Sequence, residues 1–494
     1  MKHTYKGSVI ACAVAAALAA PAVYATNGYF KIGYGSKSRG MAGVSTAYAQ
    51  DAMAGVTNPA NMALVGNRVD VGMELFNPRR DARLDATGMT ADGVNAAGAD
   101  SGKVESGATL FAIPHAGFVM NMAGGMSMGL TIAANGGMNT RYNSNVYFNS
   151  LGPAISAFAS ALAAGPYSGS ASDVAAINAV AAGLGTDPDT TTQTLGVNLA
   201  QLIIAPSVAW KLNENHSVGA SLQIGYQRFR AYGIGLFKGF SSNQNKVTNN
   251  GDDDAWGAGL RVGWTGQITD SLTLGASAAS KIYMQKFDTY KGLFAEQGDF
   301  DVPANLSLGI AFKATPKTTL AIDVQRIFYG DVAAIANPGP TADEFMDGFM
   351  AVLTSNTSNP IRSVAKPLGT DNGWGFGWDD ITVVKIGIEH QYNEKWTFRG
   401  GVNLGQNPID DKENLFNILA PGVVRNHLTL GFTYSPTPSS ELTMGYMHAF
   451  RVDQSFNYQT STAWSAATGF PQQQYLTEIG MDQNSLEFSY AMKF

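Results

Sequence analysis

Leu486-Glu487-Phe488-Ser489-Tyr490-Ala491-Met492-Lys493-Phe494, the last nine residues, alternate with a period of two. Leu486, Phe488, Tyr490, Met492 and Phe494 share one face; Glu487, Ser489, Ala491 and Lys493 share the other. Successive side chains of a strand point to opposite sides, so this segment reads as a strand with one apolar and one polar face. A sheet of such strands separates oil from water, which makes a transmembrane β-barrel the first reading and a soluble edge strand its competitor. The final Phe494 favours the barrel, because barrel assembly machinery of the bacterial outer membrane reads a terminal aromatic residue.

The other end of the chain agrees. Lys2, His3 and Lys6 precede an apolar run from Val9 to Leu18, and Val23-Tyr24-Ala25 offers small residues for cleavage. Residues 1–25 read as a signal peptide that takes Cys12, the one cysteine, with it. A mature chain without thiols makes no disulfides or thiolate metal sites. Beyond the signal no apolar run reads as long enough for a spanning helix, so an exported membrane protein must cross as a closed barrel. The 494 residues include 56 Gly, 10% aromatics and 14% charged residues, and the net charge of -6 offers no basic patch for nucleic acid. With no linker or shift in composition, residues 68–494 read as one barrel domain.

Upstream of the last strand the alternation recurs in hairpins. Leu428, Leu430, Phe432 and Tyr434 turn through Ser435 to Ser440 into Leu442, Met444, Tyr446 and Phe450. Ile386 and Ile388 pair with Trp396 and Phe398 across Asn393-Glu394, and Leu306 to Phe312 pair with Leu320 to Val324 across Thr315-Pro316-Lys317. Continuing to Val69, Val71, Met73 and Leu75 gives about 14 antiparallel strands, an even number as such barrels require. The tight turns fall on one side, and the stretches 77–110, 135–198, 229–254, 284–303, 328–380, 405–425 and 451–484 become extracellular loops. Trp210, Trp264, Phe312, Tyr392, Tyr434 and Phe494 end the descending strands in one outward phase, a ring of aromatics at one membrane interface.

Thr26 to Asn67 does not alternate. It reads Asn27-Gly28-Tyr29-Phe30, Gly40-Met41-Ala42-Gly43, Thr46 to Asp51 and Asn58-Pro59-Ala60, where Gly and Ala allow close packing and Asn-Pro favours a turn. Here the chain resembles the FadL-type outer-membrane transporters of long-chain fatty acids and, in the TodX branch, aromatic hydrocarbons. The resemblance rests on the Gly-rich start, the Gly40 to Asp51 stretch and the hatch motif Asn58-Pro59-Ala60, followed by a barrel of matching strand count. It implies a barrel plugged by an N-terminal hatch, residues 26–67, with ligand caught outside and released sideways at a kinked third strand. That strand is Met126 to Ala134, and Gly129, Asn135, Gly136 and Gly137 are its candidate exit residues. Tyr29 and Phe30 compete for the role of the family's hatch aromatic.

The loops give an independent reason to expect an apolar ligand. Ile155, Phe158 and Leu162, then Val174, Ile177 and Val180, recur at helical spacing. Thr341-Ala342-Asp343-Glu344 reads as a capping box opening a helix with Phe345, Met346, Phe349 and Met350. Such faces must bury themselves against each other, the barrel rim or a ligand. A carboxylate on the ligand calls for a cation: Lys385 and Arg399 have inward phase, while Arg228 and Arg230 follow Tyr226 in a Tyr-x-Arg arrangement similar to the family's carboxylate-binding strand. By phase alone Arg228 points outward.

Enzyme and cofactor readings find little support. Gly125-Met126-Ser127-Met128-Gly129 matches a hydrolase elbow by letters, but it starts a strand where that chemistry needs a strand-to-helix turn. The histidines lack metal spacing, and no metal or other cofactor is expected. The expected partners are a hydrophobic small molecule, outer-membrane lipid and lipopolysaccharide, and the assembly machinery, with the chain acting as a monomer. The alternative function is a general diffusion porin or an adhesin with long surface loops.

Overall fold

The computed structural model describes residues 26–164, 170–358, 360 and 363–494. The expected signal peptide, residues 1–25 with Cys12, lies outside the described residues. Eighteen strand segments form one sheet. Four of them are two-residue bridges, Thr26–Asn27, Phe30–Lys31, Val104–Glu105 and Tyr283–Met284. The other 14 make the wall. They are β1 (Arg68–Asp85), β2 (Phe111–Asn121), β3 (Met126–Asn139), β4 (Gly196–Lys211) and β5 (His216–Tyr232). Next come β6 (Asp253–Gln267), β7 (Leu272–Ala279), β8 (Asn305–Thr315), β9 (Thr318–Ile327) and β10 (Ile381–Gln391). The last four are β11 (Trp396–Gly405), β12 (Asn426–Thr437), β13 (Ser440–Gln459) and β14 (Gln474–Lys493). Neighbours in sequence pair antiparallel, and β14 pairs with β1 from Leu476↔Asp85 to Lys493↔Arg68, which closes the barrel.

The two-residue period sets which side chains meet lipid. Leu306, Leu308, Ile310 and Phe312 of β8, Leu320, Ile322 and Val324 of β9, and Ile386 and Ile388 of β10 are exposed. Ser307, Ala311, Ala321 and Asp323 between them are buried. A belt of exposed aliphatics is unfavourable in water and favourable in hydrocarbon, so the wall's outer face is built for a bilayer. At the tight-turn end Trp210, Phe312, Tyr392 and Phe494 are exposed, and Tyr434 packs against Trp396 with ring centroids 4.8 Å apart and the rings tilted by 35°. These rings form the interface girdle.

Several strands run past the alternating segments. β1 continues to Asp85, β3 to Asn139 and β13 to Gln459, and β14 begins at Gln474, so the loops expected at 77–110, 135–198 and 451–484 are shorter. The reason is chemical. Above the apolar belt the outward positions become Arg79, Arg83, Arg451 and Asp453, and backbone pairing continues after the hydrophobic signal has stopped.

Among the described residues the α-helices longer than four residues are α1 (Ser36–Gly40), α2 (Val146–Ala164), α3 (Ala171–Thr186), α4 (Ala342–Leu353) and α5 (Thr462–Thr468). Thr341 caps α4 in a capping box: its hydroxyl accepts from Glu344 N–H (3.2 Å), and the Glu344 carboxylate accepts from Thr341 N–H (3.0 Å). α2 corrects one sequence expectation, because it is long and apolar enough to cross a membrane by length and composition. Its place is in the long loop between β3 and β4, where Phe158 and Leu162 are buried and it packs on α3.

Candidate functional site

From Asn27 to Ala63 the chain lies inside the barrel, with nearly every residue buried. Its cations meet inward carboxylates on one side. Lys31 Nζ and Arg39 Nη2 each lie 2.8 Å from Glu74 of β1, and Arg39 Nε lies 3.1 Å from Glu487 of β14. Lys37 shares Glu441 of β13 with the wall's own Arg68, at the start of β1, at 2.7 and 3.0 Å. Arg39, Glu74 and Glu487 are fully buried, where a charge persists only if paired. On the opposite side the Asp323 carboxylate of β9 accepts from Ser45 N–H (2.8 Å), Thr46 N–H (2.9 Å) and the Thr46 hydroxyl (2.8 Å). Glu389 accepts from the Tyr48 hydroxyl (2.6 Å) and from Arg399 Nε (2.7 Å). The Asn58 amide donates to Thr46 O (2.7 Å) and Trp264 O (3.0 Å) while its oxygen accepts from Ala60 N–H (3.1 Å). A segment fastened to opposite walls spans the lumen.

One seam of the wall is open. β2 pairs with β3 only from Asn121↔Ser127 to Ala116↔Ile132. Above that, β2 stays on β1 as far as Phe76↔Phe111, and β3 stays on β4 as far as Asn139↔Asn198 with a register shift between Ala134 and Gly136. Residues 111–115 and 133–139 thus face each other without a ladder, and the bridge Ser106↔Tyr142 closes the window from above. Pro114, which has no N–H, sits on the β2 side. The N-terminal segment backs the window: Phe30 pairs with Gly136, and Gly137 N–H donates to Tyr29 O at 3.4 Å. A Cβ on Gly136 would come within 2.1 Å of Tyr29 O, so the approach requires glycine. The displaced Asn135 accepts from the Tyr34 hydroxyl (2.8 Å) and donates to Gln201 Oε1 (3.0 Å).

Aromatic rings connect this window to the extracellular loops. Tyr29 lies 5.4 Å from Tyr329, 5.9 Å from Trp378 and 6.4 Å from Phe300; Phe300 continues to Phe294 at 4.8 Å and Phe294 to Phe229 at 4.7 Å. Tyr29 N–H donates to the Tyr329 hydroxyl (3.2 Å), which donates to Asn27 O (2.5 Å). Burial pushes the phenols of Tyr29 and Tyr329 well above their ordinary range, so both stay neutral. Beyond Phe294 opens an apolar cavity of about 40 Å³ lined by Val197, Phe229, Phe237, Leu293, Trp374, Phe376, Phe416 and Leu419. It holds about three water-sized groups, so a ring or long chain enters only as side chains yield. A smaller space of about 20 Å³ lies between Tyr29, Arg80, Gly137, Asn139, Trp378 and Gly422.

The sequence-nominated residues divide into three groups. Ile155, Phe158, Leu162, Ile177, Phe345, Met346, Phe349 and Met350 are buried and Val174 and Val180 half-buried. They pack together, with Phe158 against Phe349 at 5.8 Å and Phe345 against Phe240 at 5.8 Å, and none lines the apolar cavity. Arg228 and Arg230 do not enter the lumen; Arg228 pairs with Asp254 at 2.7 Å on the exposed upper wall, as its outward phase requires. Arg399 faces inward but is held by Glu389, whereas Lys385 lines a buried polar space with Arg261 and Asn305. Asn135, Gly136 and Gly137 meet at the window. Gly129 does not: it pairs with Val119 and with Ser207 in unbroken ladders. The Ser127 hydroxyl of the elbow-like motif donates to Asn121 Oδ1 at the foot of β3 (2.8 Å). The cavity aromatics and Arg80 were not nominated; of these only Arg80 carried a sequence signal, its even-numbered inward phase on β1.

Residues 173–494 match the sequence model of a family described as outer membrane protein transport protein (OMPP1/FadL/TodX). No curated protein matches the chain. Among solved structures it is similar to the toluene transporter TodX of P. putida, with TM-score 0.58 and 18% identity over 94% of this chain and 99% of that one. The toluene transporter TbuX of Ralstonia pickettii gives 0.53 and 18%, again over 94% and 99%. A FadL homologue of Pseudomonas aeruginosa gives 0.60 and 14% over 94% and 100%. At such identities the likeness is one of fold.

Proposed function

The chain belongs to the outer membrane transport protein family OMPP1/FadL/TodX, and from that premise we propose that it takes up its ligand through the extracellular loops and releases it sideways through the β2–β3 window. It is an outer-membrane transporter of hydrophobic compounds, in a family of transport proteins rather than enzymes. In the proposed route an apolar molecule enters among Phe237, Trp374 and Phe416, displaces the Tyr29-Phe30 turn, and passes between residues 111–115 and 133–139 into the membrane. The ligand class is long-chain fatty acids or related lipids and hydrocarbons; the toluene transporters among the similar folds favour including aromatic molecules. Residues 26–67 act as the hatch, and a single barrel, inserted by the assembly machinery, is the working unit.

The observation that carries this reading is the missing ladder between β2 and β3, backed by the N-terminal segment at Gly136. Unpaired strand edges are costly in lipid, where no water satisfies the backbone, and such a gap calls for a purpose. The test is a disulfide across it. In a Cys12→Ser background, Pro114→Cys and Ala134→Cys occupy positions that a continued ladder would place opposite each other. Oxidation is expected to stop uptake of dodecanoate and toluene, and reduction to restore it. Full uptake by the oxidised barrel refutes sideways release. A large steady ion conductance in planar bilayers would restore the general porin reading.

A further inference from the structure

We propose that Arg80 is an anion-binding residue beside the window, and that it selects ligands carrying a carboxylate on an apolar body. The proposal rests on the transport reading above and names its substrate class. Arg80 points inward from β1 and is 5% exposed. Its Nη2 donates to Ala108 O at 2.6 Å, and its Nε has no partner. Among the described residues no carboxylate pairs with it. Arg39, Arg68 and Arg399 each hold one, while the inward Arg261, which also lacks one, is held instead by Thr57 O, Ser277 Oγ and Asn305 Oδ1. The acids closest in sequence and register are engaged elsewhere: Asp81 with Lys103 and Arg451, and Asp482 with Arg79 and Arg451. A guanidinium buried without a counter-charge is costly to fold around, and its planar fork suits a carboxylate through two parallel bonds.

The surroundings fit such a ligand. Arg80 borders the space of about 20 Å³ between Tyr29, Gly137, Met138 and Trp378, which has room for about one water-sized headgroup. Met138, Met481 and Trp378 offer apolar surface to the first methylenes. The space touches Ala420, next to Leu419 of the apolar cavity. An acid held by Arg80 therefore sits at the inner lip of the window with apolar surface on either side for its tail.

The test uses the folded full chain in non-ionic detergent, with quenching of tryptophan fluorescence as readout, since Trp378 borders the site. Sodium dodecanoate, methyl dodecanoate and toluene are the probes. Arg80→Gln is expected to weaken dodecanoate by about tenfold to a hundredfold, the worth of a charge-assisted hydrogen bond, and to leave the ester and toluene unchanged. Arg80→Lys, which keeps the charge and loses the fork, should give an intermediate acid-to-ester preference. Equal loss for acid and ester, or no loss for the acid, overturns the proposal. If Arg80→Gln fails to assemble, Arg80→Lys decides: an unchanged acid-to-ester ratio overturns it. A parent protein that binds ester or toluene but not dodecanoate refutes the role of Arg80 and leaves the transport reading standing. One that binds none of the three removes both.

Discussion

Tyr329→Phe isolates the tether of the N-terminal segment, because it deletes one oxygen and keeps the ring that packs on Tyr29, Phe30 and Trp378 at 5.4, 5.8 and 5.2 Å. The lost hydroxyl both accepts from Tyr29 N–H and donates to Asn27 O. Tyr29 is 1% exposed, so its stranded amide costs about 1–3 kcal/mol, and the second bond adds about 1 kcal/mol. A total of roughly 2–4 kcal/mol raises the opening constant of the turn about 30- to 1000-fold. Amide hydrogen exchange over residues 28–34 measures that opening directly. Exchange of the β8–β9 hairpin is the internal control and should not change. Acceleration of residues 28–34 by less than about threefold, the scatter of a neutral substitution, would refute the tether argument.

Other expected outcomes test separate parts of the arrangement. Glu74→Gln leaves Arg39 and Lys31 short of a counter-charge, and a loss of about 3–5 kcal/mol is expected as a lower unfolding temperature by heat-modified gel mobility, with greater ion leak in bilayers. Asn58→Ala removes the cap on Ala60 and the bonds to Thr46 O and Trp264 O, and exchange over residues 59–63 should rise by the equivalent of about 1–2 kcal/mol while strand pairing holds. Val197→Phe fills the apolar cavity from β4; uptake at limiting ligand should fall without change in assembly, and unchanged uptake would take the cavity off the route.

The wall was legible because the boundary between oil and water imposes a period of two on every strand it touches. Above the belt that constraint ends, and Arg83 and Asp453 look no different from loop residues although their strands still pair. Local signals survived as well: Thr341 and Glu344 announce α4 because capping is a contact three residues long. The site depends on distance in sequence. Gly136 is readable as a glycine, but the atom that forbids a side chain there belongs to Tyr29. Phe229 comes from the upper end of β5, and Leu293, Trp374 and Phe416 from three connections without period; they meet only when the barrel closes. Arg228 was readable in phase, and the family's Tyr-x-Arg pattern pointed against it; Asp254 on the neighbouring strand explains why phase prevails. The isolation of Arg80 is a statement about what its neighbours' acids are already doing, which no local window of sequence contains.

The charges that hold the N-terminal segment also argue about direction. A ligand continuing down the lumen would meet Lys31, Arg39, Glu74 and Glu487, all buried and mutually paired. Separating one such pair costs about 3–5 kcal/mol. The ligand would then give back about 0.8 kcal/mol for each methylene delivered to water, roughly 8 kcal/mol for ten of them. The sideways route disturbs less: the pairing Phe30↔Gly136, the long Gly137–Tyr29 hydrogen bond of 3.4 Å, and the Tyr329 tether of the turn, roughly 2–4 kcal/mol. Each backbone bond is worth about 1 kcal/mol net, and the ligand's methylenes move from aromatic side chains to lipid without meeting water. The same polar network that anchors the N-terminal segment makes the axial path the expensive one; the gap lies beside it, with His115 on its β2 edge 3.3 Å from Glu487, and a ligand leaving sideways need not separate the pairs of Glu74 and Glu487 with Lys31 and Arg39.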